Sequence, residues 1–529
     1  MQTRSSSKRK KNLNPVTINY DDDENIPSLL GGIDRISDLP DPIIHHILLY
    51  LPIKSIAQTI VLSKRWKQIW HSFPDLDFTT ITTLINSSHN NNTFGKGYYS
   101  NFSLINRGAN SINQVLSHRD KHSDIRVLRF KACLSFSCLN GLIRRAIKHN
   151  VQELDIEVST DDYFNFPRIV IISESLRVFR LKSRYPGFRL PPPVILKGGF
   201  RSLISLSLSR VILYDQPSLI NLFDDSSFPM LKSLSLETCS GLKHLNVCCK
   251  GIQDLALGNC FNLENLEISC PKIERLRVLS CFDAYSTSSF VKIDAPKLEM
   301  IFWSNNSLTE NTILENLSSL HEAFVGFFLL HDDLSASKLR SISRFLSGVS
   351  HCQCLTLETQ CIEILSKNYH LGGLRQPFSR VESLELHTGF NKHNLPGLAH
   401  LFRNSPQTQT LVLKIVNDQT AERRKWNRDL WEMSSTGEER YWESQSEGMN
   451  SFLHHLKVVK IQGFSECENE ISLIKFLLKH GKVLQEMFLI CSREIISSKS
   501  SKDSLQRQKI KSQIMGFSRA SSNAKILFH

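Results

Sequence analysis

The 529-residue sequence predicts a mixed α/β protein in which a small all-helical module is followed by a repeat solenoid and a C-terminal cap. Residues 34–70 carry apolar side chains at helical spacing. Between residues 231 and 278, short segments with alternating apolar residues recur every 10 or 11 residues. Such segments bury apolar area only against their neighbours, so several of them must stack into one solenoid.

The N-terminal module is predicted to contain three helices. Asp41 is placed to cap the first helix, with Pro42 in its first turn, and Pro52 is placed to end it. The second helix begins near Ile53, and Ser63 is placed to cap the third. A module of about forty residues is too small for a stable core of its own, so it must pack on a partner or on the rest of the chain.

Three segments of this module occur in a characteristic order: Ile-Ser-x-Leu-Pro-Asp, then Ile-Leu-x-x-Leu-Pro, then Val-Leu-Ser-Lys-Arg-Trp-x-x-x-Trp. Together they closely resemble the plant F-box over residues 33–78. The resemblance implies that apolar residues of the module bind the SKP-type adaptor of a cullin-RING ubiquitin ligase. By the same resemblance, the residues that form or support the adaptor surface are Leu39, Pro40, Ile43, Ile44, Ile47, Leu48, Leu51, Val61, Leu62 and Trp66.

The repeats are clearest in the run that begins at Leu231, Leu234 and Leu236 and continues to Val278. Two segments make a turn of 21 residues, which lies within the range of about 20–29 residues for leucine-rich repeats. Each turn is expected to give a strand to one face and a second short strand or turn to the other. Weaker copies extend the predicted solenoid over residues 125–416, with larger helical connections in residues 311–350.

The sequence contains thirteen cysteines and no Cys-x-x-Cys pair. Cys239, Cys260 and Cys281 follow one another at intervals of 21 residues, and Cys249 and Cys270 share that interval. A small buried side chain at a repeat position explains this spacing better than metal binding or disulfide formation. We therefore predict reduced thiols in the core of the solenoid.

The segments outside the module and the solenoid differ in composition. Residues 1–32 read as a disordered leader, 79–124 as a linker and entry to the solenoid, and 417–450 as an exposed polar insertion. In residues 451–529, a strand precedes a helix that Asn469 or a neighbour can cap and that Gly481 closes. This arrangement resembles the FBD region that ends many plant F-box/LRR proteins, and it implies a cap over the last repeat.

The net charge of +13 is concentrated at the two ends of the chain. Residues 1–11 carry +5 and residues 493–529 carry +6, whereas residues 12–24 carry −4, which leaves only +6 on residues 25–492. This distribution argues against nucleic-acid binding. The cluster Lys8, Arg9, Lys10 and Lys11 is either a nuclear localisation signal or part of a solvated tail.

The sequence contains no secretory signal and no apolar run of the roughly 20 residues that span a membrane. It also contains no phosphate-binding loop, no zinc-protease motif and no nucleophile elbow. We therefore predict an intracellular, non-catalytic protein of the nucleus or cytoplasm that needs no cofactor and binds no membrane.

The family resemblance implies a specific function. It predicts a substrate-recognition subunit of an SCF-type (SKP–cullin–F-box) E3 ubiquitin ligase, in which the LRR and FBD regions bind a target protein whose identity the sequence does not reveal. The alternative is an LRR scaffold or a nucleic-acid-binding protein that acts outside a ligase.

Overall fold

The structure is a computed structural model that describes residues 36, 38–80, 110–160, 162–184, 186–213, 223–284, 289–328, 336–368, 377–390, 394–416, 438–491 and 501–529. The predicted leader with its basic cluster lies outside these residues, as do most of the predicted linker and most of the predicted polar insertion. The chain divides into two compact units, with the boundary between Tyr50 and Leu51.

The first unit contains the helix Asp41–Leu48. The prediction that Asp41 caps this helix is wrong, because Pro40 occupies the capping position and no side chain caps the helix. Instead, the Pro40 carbonyl accepts hydrogen bonds from the N–H groups of Ile43 and Ile44, at 3.0 and 3.2 Å. The helix also ends at Leu48, before the predicted end at Pro52.

The second unit begins with the helix Ile53–Gln58, the 3-10 turn Thr59–Val61 and the helix Lys64–Ser72. The predicted cap of the last helix is confirmed, since the Ser63 hydroxyl accepts a hydrogen bond of 3.3 Å from the Trp66 N–H. The buried side chains of these helices are Ile53, Ile56, Ile69 and Trp70.

Within the described residues, sixteen parallel strands form one sheet whose order follows the chain. The strands are Asp75–Asp77, Val127–Cys133, Glu153–Ser159, Val178–Ser183, Ser205–Ser209, Ser233–Glu237, Asp254–Gly258, Arg275–Leu279, Met300–Asn306, Glu322–Phe327, Cys354–Leu357, Ser383–Thr388, Thr410–Ile415, Val458–Phe464, Glu486–Cys491 and Lys525–Phe528. The twelve strands from Val127–Cys133 to Thr410–Ile415 lie within the predicted range 125–416 and confirm the predicted solenoid. Asp75–Asp77 and the last three strands extend the sheet beyond that range.

A second parallel sheet has four strands in the described part of the chain, namely His244–Val247, Asn265–Ser269, Phe290–Asp294 and Asn311–Glu315. These strands alternate along the chain with those of the large sheet, so the prediction of a strand on one face and a second short strand on the other is confirmed for these turns. Three two-residue strands form a further small sheet at Phe164–Asn165, Phe188–Arg189 and Val211–Ile212.

Helices connect many of the other strands. They are Phe136–Lys148, Pro193–Leu196, Ala336–Gly348, Thr359–Asn368, Leu395–Asn404, Glu438–Gln445, Asn450–His455, Glu468–His480 and Ser501–Met515, and residues 110–118 are also helical. Of the predicted helical stretch 311–350, the described residues form one helix, Ala336–Gly348. The first half forms the strands Asn311–Glu315 and Glu322–Phe327, which extend the two sheets by one more repeat. No described helix is long and apolar enough to cross a membrane.

The prediction of reduced core cysteines is confirmed, because all thirteen thiols are free and the five at repeat positions are buried. The thiols of Cys260 and Cys270 donate to main-chain carbonyls of the preceding turn, to Leu236 at 3.6 Å and to Val247 at 3.4 Å. Burial raises the pKa of Cys270 to about 12. A thiol with so high a pKa is protonated and unreactive at neutral pH. Among the described residues, no group of His, Cys, Asp and Glu is arranged to hold a metal ion.

The prediction that residues 417–450 are exposed is wrong for Trp442 and Met449, which are buried, although other described residues of this stretch are exposed. The helix Glu438–Gln445 places Trp442 in the core, where its ring centroid lies 6.1 Å from that of Phe402 and 5.7 Å from that of Phe476. The next residue, Glu443, accepts hydrogen bonds from Lys479 and His480 at 2.8 and 3.0 Å. The polar residues around Trp442 therefore reflect one face of a helix that packs on the C-terminal region.

In the C-terminal region, the helix Glu468–His480 ends at Gly481 as predicted, but Asn469 is not its cap. Cys467 occupies the capping position, and Asn469 instead donates a hydrogen bond of 3.1 Å to the Phe390 carbonyl. The buried Glu470 carboxylate closes the start of the helix by accepting a hydrogen bond of 2.9 Å from the Ser465 N–H. Burial raises the pKa of Glu470 to about 7, above its usual value of 4.5.

This shift predicts a stability that falls with pH. Because the folded state binds the Glu470 proton more tightly than the unfolded state does, Glu470 stabilises the folded protein at low pH. This stabilisation is complete below about pH 4.5 and is lost as the pH rises through about 7. In the wild type, the free energy of unfolding should decrease between about pH 5 and pH 8, and Glu470 should account for up to about 3 kcal/mol of that decrease. In Glu470→Gln the decrease should be smaller by that amount. Urea unfolding at both pH values measures the two free energies. The exposed Glu468→Gln variant is the control, and an unchanged decrease in Glu470→Gln would contradict the prediction.

Candidate protein-interaction site

The predicted adaptor-binding residues of the first unit fall into two groups. Those with exposed or half-buried side chains are Leu39, Pro40, Ile43 and Ile47. Ile43 and Ile47 lie one helical turn apart and are about half exposed. Ile44 and Leu48, on the same helix, are buried. These two residues can support the helix, but they cannot present apolar surface to a partner.

In the second unit, the most exposed predicted residues form one turn. Val61 is 87% exposed and Leu62 is 64% exposed, while Leu51 is partly exposed and Trp66 is half-buried. Val61 and Leu62 connect the 3-10 turn Thr59–Val61 to the helix Lys64–Ser72. We name this pair the Val61–Leu62 turn.

The conformation of the Val61–Leu62 turn is fixed from both sides. On one side, the Leu62 N–H donates to the Thr59 carbonyl at 3.0 Å, and the Thr59 hydroxyl donates to the Ile56 carbonyl at 2.7 Å. On the other side, Ser63 caps the following helix. Local hydrogen bonds therefore hold the backbone of this turn in a conformation that leaves both apolar side chains exposed to solvent.

The helix Lys64–Ser72 is joined to the large sheet by Arg119, a residue that the sequence analysis did not identify. The Arg119 guanidinium is buried and donates to the carbonyls of Phe73 and Asp124 at 2.6 and 2.7 Å. It also donates to the carbonyls of Ser72 and Ser123 at 3.3 and 3.2 Å. Burial lowers the pKa of Arg119 to about 10, so the side chain is still charged at neutral pH.

The strand after this helix strengthens the same connection. Asp75–Asp77 pairs in parallel with Val127–Cys133 as the first strand of the large sheet. The Arg126 guanidinium donates two hydrogen bonds to the Asp75 carboxylate, at 2.8 and 2.5 Å. Arg119 and Arg126 thus fix the helix Lys64–Ser72 relative to the solenoid.

The solvent-facing side of the first strands carries charges that neutralise one another. Arg129 lies 3.8 Å from Asp77 and 3.7 Å from Glu153, and Arg180 lies 3.9 Å from Asp155. Exposed pairs of this kind add little stability. They do, however, leave no excess of positive charge among these five side chains that would attract a nucleic acid.

Models of three protein families match the chain in the order in which the structure places the corresponding parts. The F-box domain matches residues 36–77, the At1g61320/AtMIF1 LRR domain matches residues 118–281, and the FBD matches residues 445–489. The fold and these matches define the class as an F-box protein with a leucine-rich-repeat region and an FBD.

Whole-chain relatives specify the family further. The Arabidopsis thaliana F-box/FBD/LRR-repeat protein At4g03220 is 47% identical over 502 residues, which cover 94% of this chain and 96% of that protein. F-box/LRR-repeat protein 25 of the same plant is 31% identical over 227 residues, covering 42% of this chain and 74% of the relative. The chain belongs to the F-box/FBD/LRR-repeat family.

Proposed function

We propose that the protein is the substrate-recognition subunit of an SCF-type E3 ubiquitin ligase. The observation that carries this proposal is the Val61–Leu62 turn. Its two apolar side chains are largely exposed to solvent, and both residues lie within the segment that matches the F-box domain. An F-box implies binding to an SKP-type adaptor and, through it, to a cullin-RING ligase. The exposed residues Ile43, Ile47 and Leu51 supply further apolar surface of the kind that an adaptor would bury.

The proposed mechanism is proximity without catalysis by this chain. The F-box attaches the protein to the adaptor, while the LRR and FBD regions hold a target protein near the ubiquitin-loaded enzyme. Tethering of this kind raises the effective concentration of the target at the reacting thioester. Residues of this chain need not contact the transferred ubiquitin, and an intracellular location in the nucleus or cytoplasm suits this role.

The Val61–Leu62 turn provides a direct test. We expect the double variant Val61→Asp/Leu62→Asp to bind an SKP-type adaptor at least about tenfold more weakly than the wild type, because two carboxylates would have to be buried at the interface. A pull-down of purified adaptor by the full-length protein, followed by titration, measures this loss.

The control introduces the same chemistry elsewhere. Val194 is 79% exposed on the short helix Pro193–Leu196 of the solenoid, so Val194→Asp should leave adaptor binding unchanged. If the wild type does not retain the adaptor, or if the double variant retains it as well as Val194→Asp does, the proposed function is wrong.

A further inference from the structure

On the solvent-facing side of the large sheet, small side chains give way to large ones near the middle. One row of side chains that are neighbours in the strand register crosses eight strands, and its members in order are Ser207, Ser235, Ala256, Arg277, Phe302, Phe324, Thr356 and Glu385. Three small side chains are thus followed by an arginine and two phenylalanine rings. These residues are all at least partly exposed.

The large side chains of this row are in contact. The rings of Phe302 and Phe324 stack with centroids 4.5 Å apart and planes at 20°. The Arg277 guanidinium carbon lies 4.8 Å from the centre of the Phe302 ring. At the other end, the His387 ring meets Phe324 edge-on at 5.9 Å. We name the set Arg277, Phe302, Phe324 and His387 the ring row.

Arg277 differs from the other arginines of this face in its partners. Arg129 and Arg180 face acids on neighbouring strands, and Arg275 forms an ion pair with Asp254. Arg277, in contrast, is exposed and makes no hydrogen bond or ion pair with the described residues. Its guanidinium already lies on a ring, so its N–H donors are oriented in advance for an external anion.

The acids around the ring row restrict where that anion can bind. Glu385 is neutralised, since it accepts hydrogen bonds from His387 at 2.9 Å and from Lys414 at 2.5 Å. Glu322 lies beside Met300 in the sheet register, on the same strand as Phe324, and would repel a second acid there. Ser235 and Ala256 carry no charge, and Asp254 on the strand of Ala256 is paired with Arg275, so a carboxylate can approach Arg277 over these small residues.

We propose that the ring row is a docking site for a partner-protein segment that carries an aliphatic or aromatic side chain next to an aspartate or glutamate. The apolar side chain packs on Phe302 and Phe324, beside the partly exposed Met300. The carboxylate pairs with Arg277, and the backbone of the segment crosses the small side chains at Ser235 and Ala256. Aromatic residues, Met and Arg are the types that concentrate binding energy in interfaces.

This inference rests on the proposed function for its consequence, which is that the docked protein is the ubiquitination target. Docking itself can be tested without a ligase. A displayed library of random peptides of about twelve residues, selected on the full-length protein, is the probe. We expect selected peptides to carry an apolar residue within two positions of an acid, and to bind at least about tenfold more weakly to Phe302→Ala and to Arg277→Gln.

The same sheet face offers a matched control. The Lys460 ammonium lies 5.6 Å from the centre of the Phe488 ring, also as a cation over a ring. Phe488→Ala and Lys460→Gln should therefore bind the selected peptides with unchanged affinity. A failure to select peptides, a selection of basic peptides, or an equal loss of binding in the control variants would each overturn the docking site.

Two further measurements separate the remaining explanations. Replacing the acid of a selected peptide by glutamine should weaken binding about tenfold. If replacing it by phosphoserine strengthened binding more than about tenfold, the site would be one for phosphorylated segments, and the proposal of an aspartate or glutamate ligand would be overturned. Arg277→Gln should retain the adaptor like the wild type, which supports a site separate from the F-box. If the wild type did not bind the adaptor, the proposed function would be refuted. Peptide binding would still test the docking site at the ring row.

Discussion

Replacement of Asn306 by alanine is expected to lower the free energy of unfolding by about 3 kcal/mol. Asn306 is fully buried at the end of the strand Met300–Asn306. Its carboxamide oxygen accepts hydrogen bonds from the N–H groups of Cys281 and Phe282, at 2.8 and 3.3 Å. Its amide nitrogen donates to the carbonyls of Val278 and Ser304, at 2.9 and 3.0 Å.

The size of this effect follows from the position of Asn306 in the repeat. In the preceding turns, a buried cysteine such as Cys260 or Cys281 occupies the corresponding place and makes only weak thiol hydrogen bonds. Asn306 instead satisfies main-chain groups on both sides of a turn. Alanine would remove the Asn306 partner of the Cys281 and Phe282 N–H groups and of the Val278 carbonyl, whereas the Ser304 carbonyl would keep its hydrogen bond of 3.1 Å from the Ser280 N–H. An unsatisfied buried polar group is destabilising by about 1–3 kcal/mol.

Urea unfolding followed by circular dichroism measures the loss, and hydrogen exchange of the Cys281 and Phe282 amides localises it. Asn311→Ala is the control, because Asn311 is exposed on the neighbouring strand Asn311–Glu315. Equal unfolding free energies for Asn306→Ala and Asn311→Ala, with unchanged exchange at Cys281, would show that the Asn306 side chain does not hold the turn together.

The parts of the fold that the sequence predicted are those set by local spacing. Alternate burial of residues such as Leu255 and Leu257 requires only that apolar residues recur every second position, which one sequence displays directly. The cap at Ser63 likewise depends on a hydroxyl three residues before the N–H that it binds. For the same reason the 21-residue recurrence of cysteines predicted their burial.

The features that were missed depend on partners that are distant in the sequence. Arg119 binds carbonyls 46 and 47 residues earlier, and main-chain acceptors leave no trace in the sequence. Trp442 is surrounded by charged neighbours, and only the packing of Phe402 and Phe476 around it reveals its burial. The ring row is similar, because Arg277, Phe302 and Phe324 become neighbours only through the register of three strands.

Loss of the Arg119 side chain is expected to loosen the connection between the F-box helices of the second unit and the solenoid. The variant Arg119→Met keeps an apolar chain but removes every donor to the carbonyls of Ser72, Phe73, Ser123 and Asp124. Hydrogen bonds to a charged donor contribute about 1.5–3 kcal/mol each, but the desolvation of the guanidinium offsets part of that gain. We therefore expect a decrease of about 3 kcal/mol in the unfolding free energy.

The effect should be local as well as global. Hydrogen exchange of residues 64–77 should accelerate in Arg119→Met, whereas binding of the adaptor should persist, because the Val61–Leu62 turn is held by its own hydrogen bonds to Thr59 and by the cap at Ser63. Arg119→Lys should lose less stability, since an ammonium has three donors for the four carbonyls.

The exposed Arg144 on the helix Phe136–Lys148 provides the control, so Arg144→Met should change neither measurement. If Arg119→Met left the exchange of residues 64–77 as slow as in the wild type, the strand pairing of Asp75–Asp77 with Val127–Cys133 and its Arg126–Asp75 ion pair would suffice to hold the junction. The two arginines would then differ in role, because the exposed Arg126 rather than the buried Arg119 would hold the helix Lys64–Ser72 against the first strands of the large sheet.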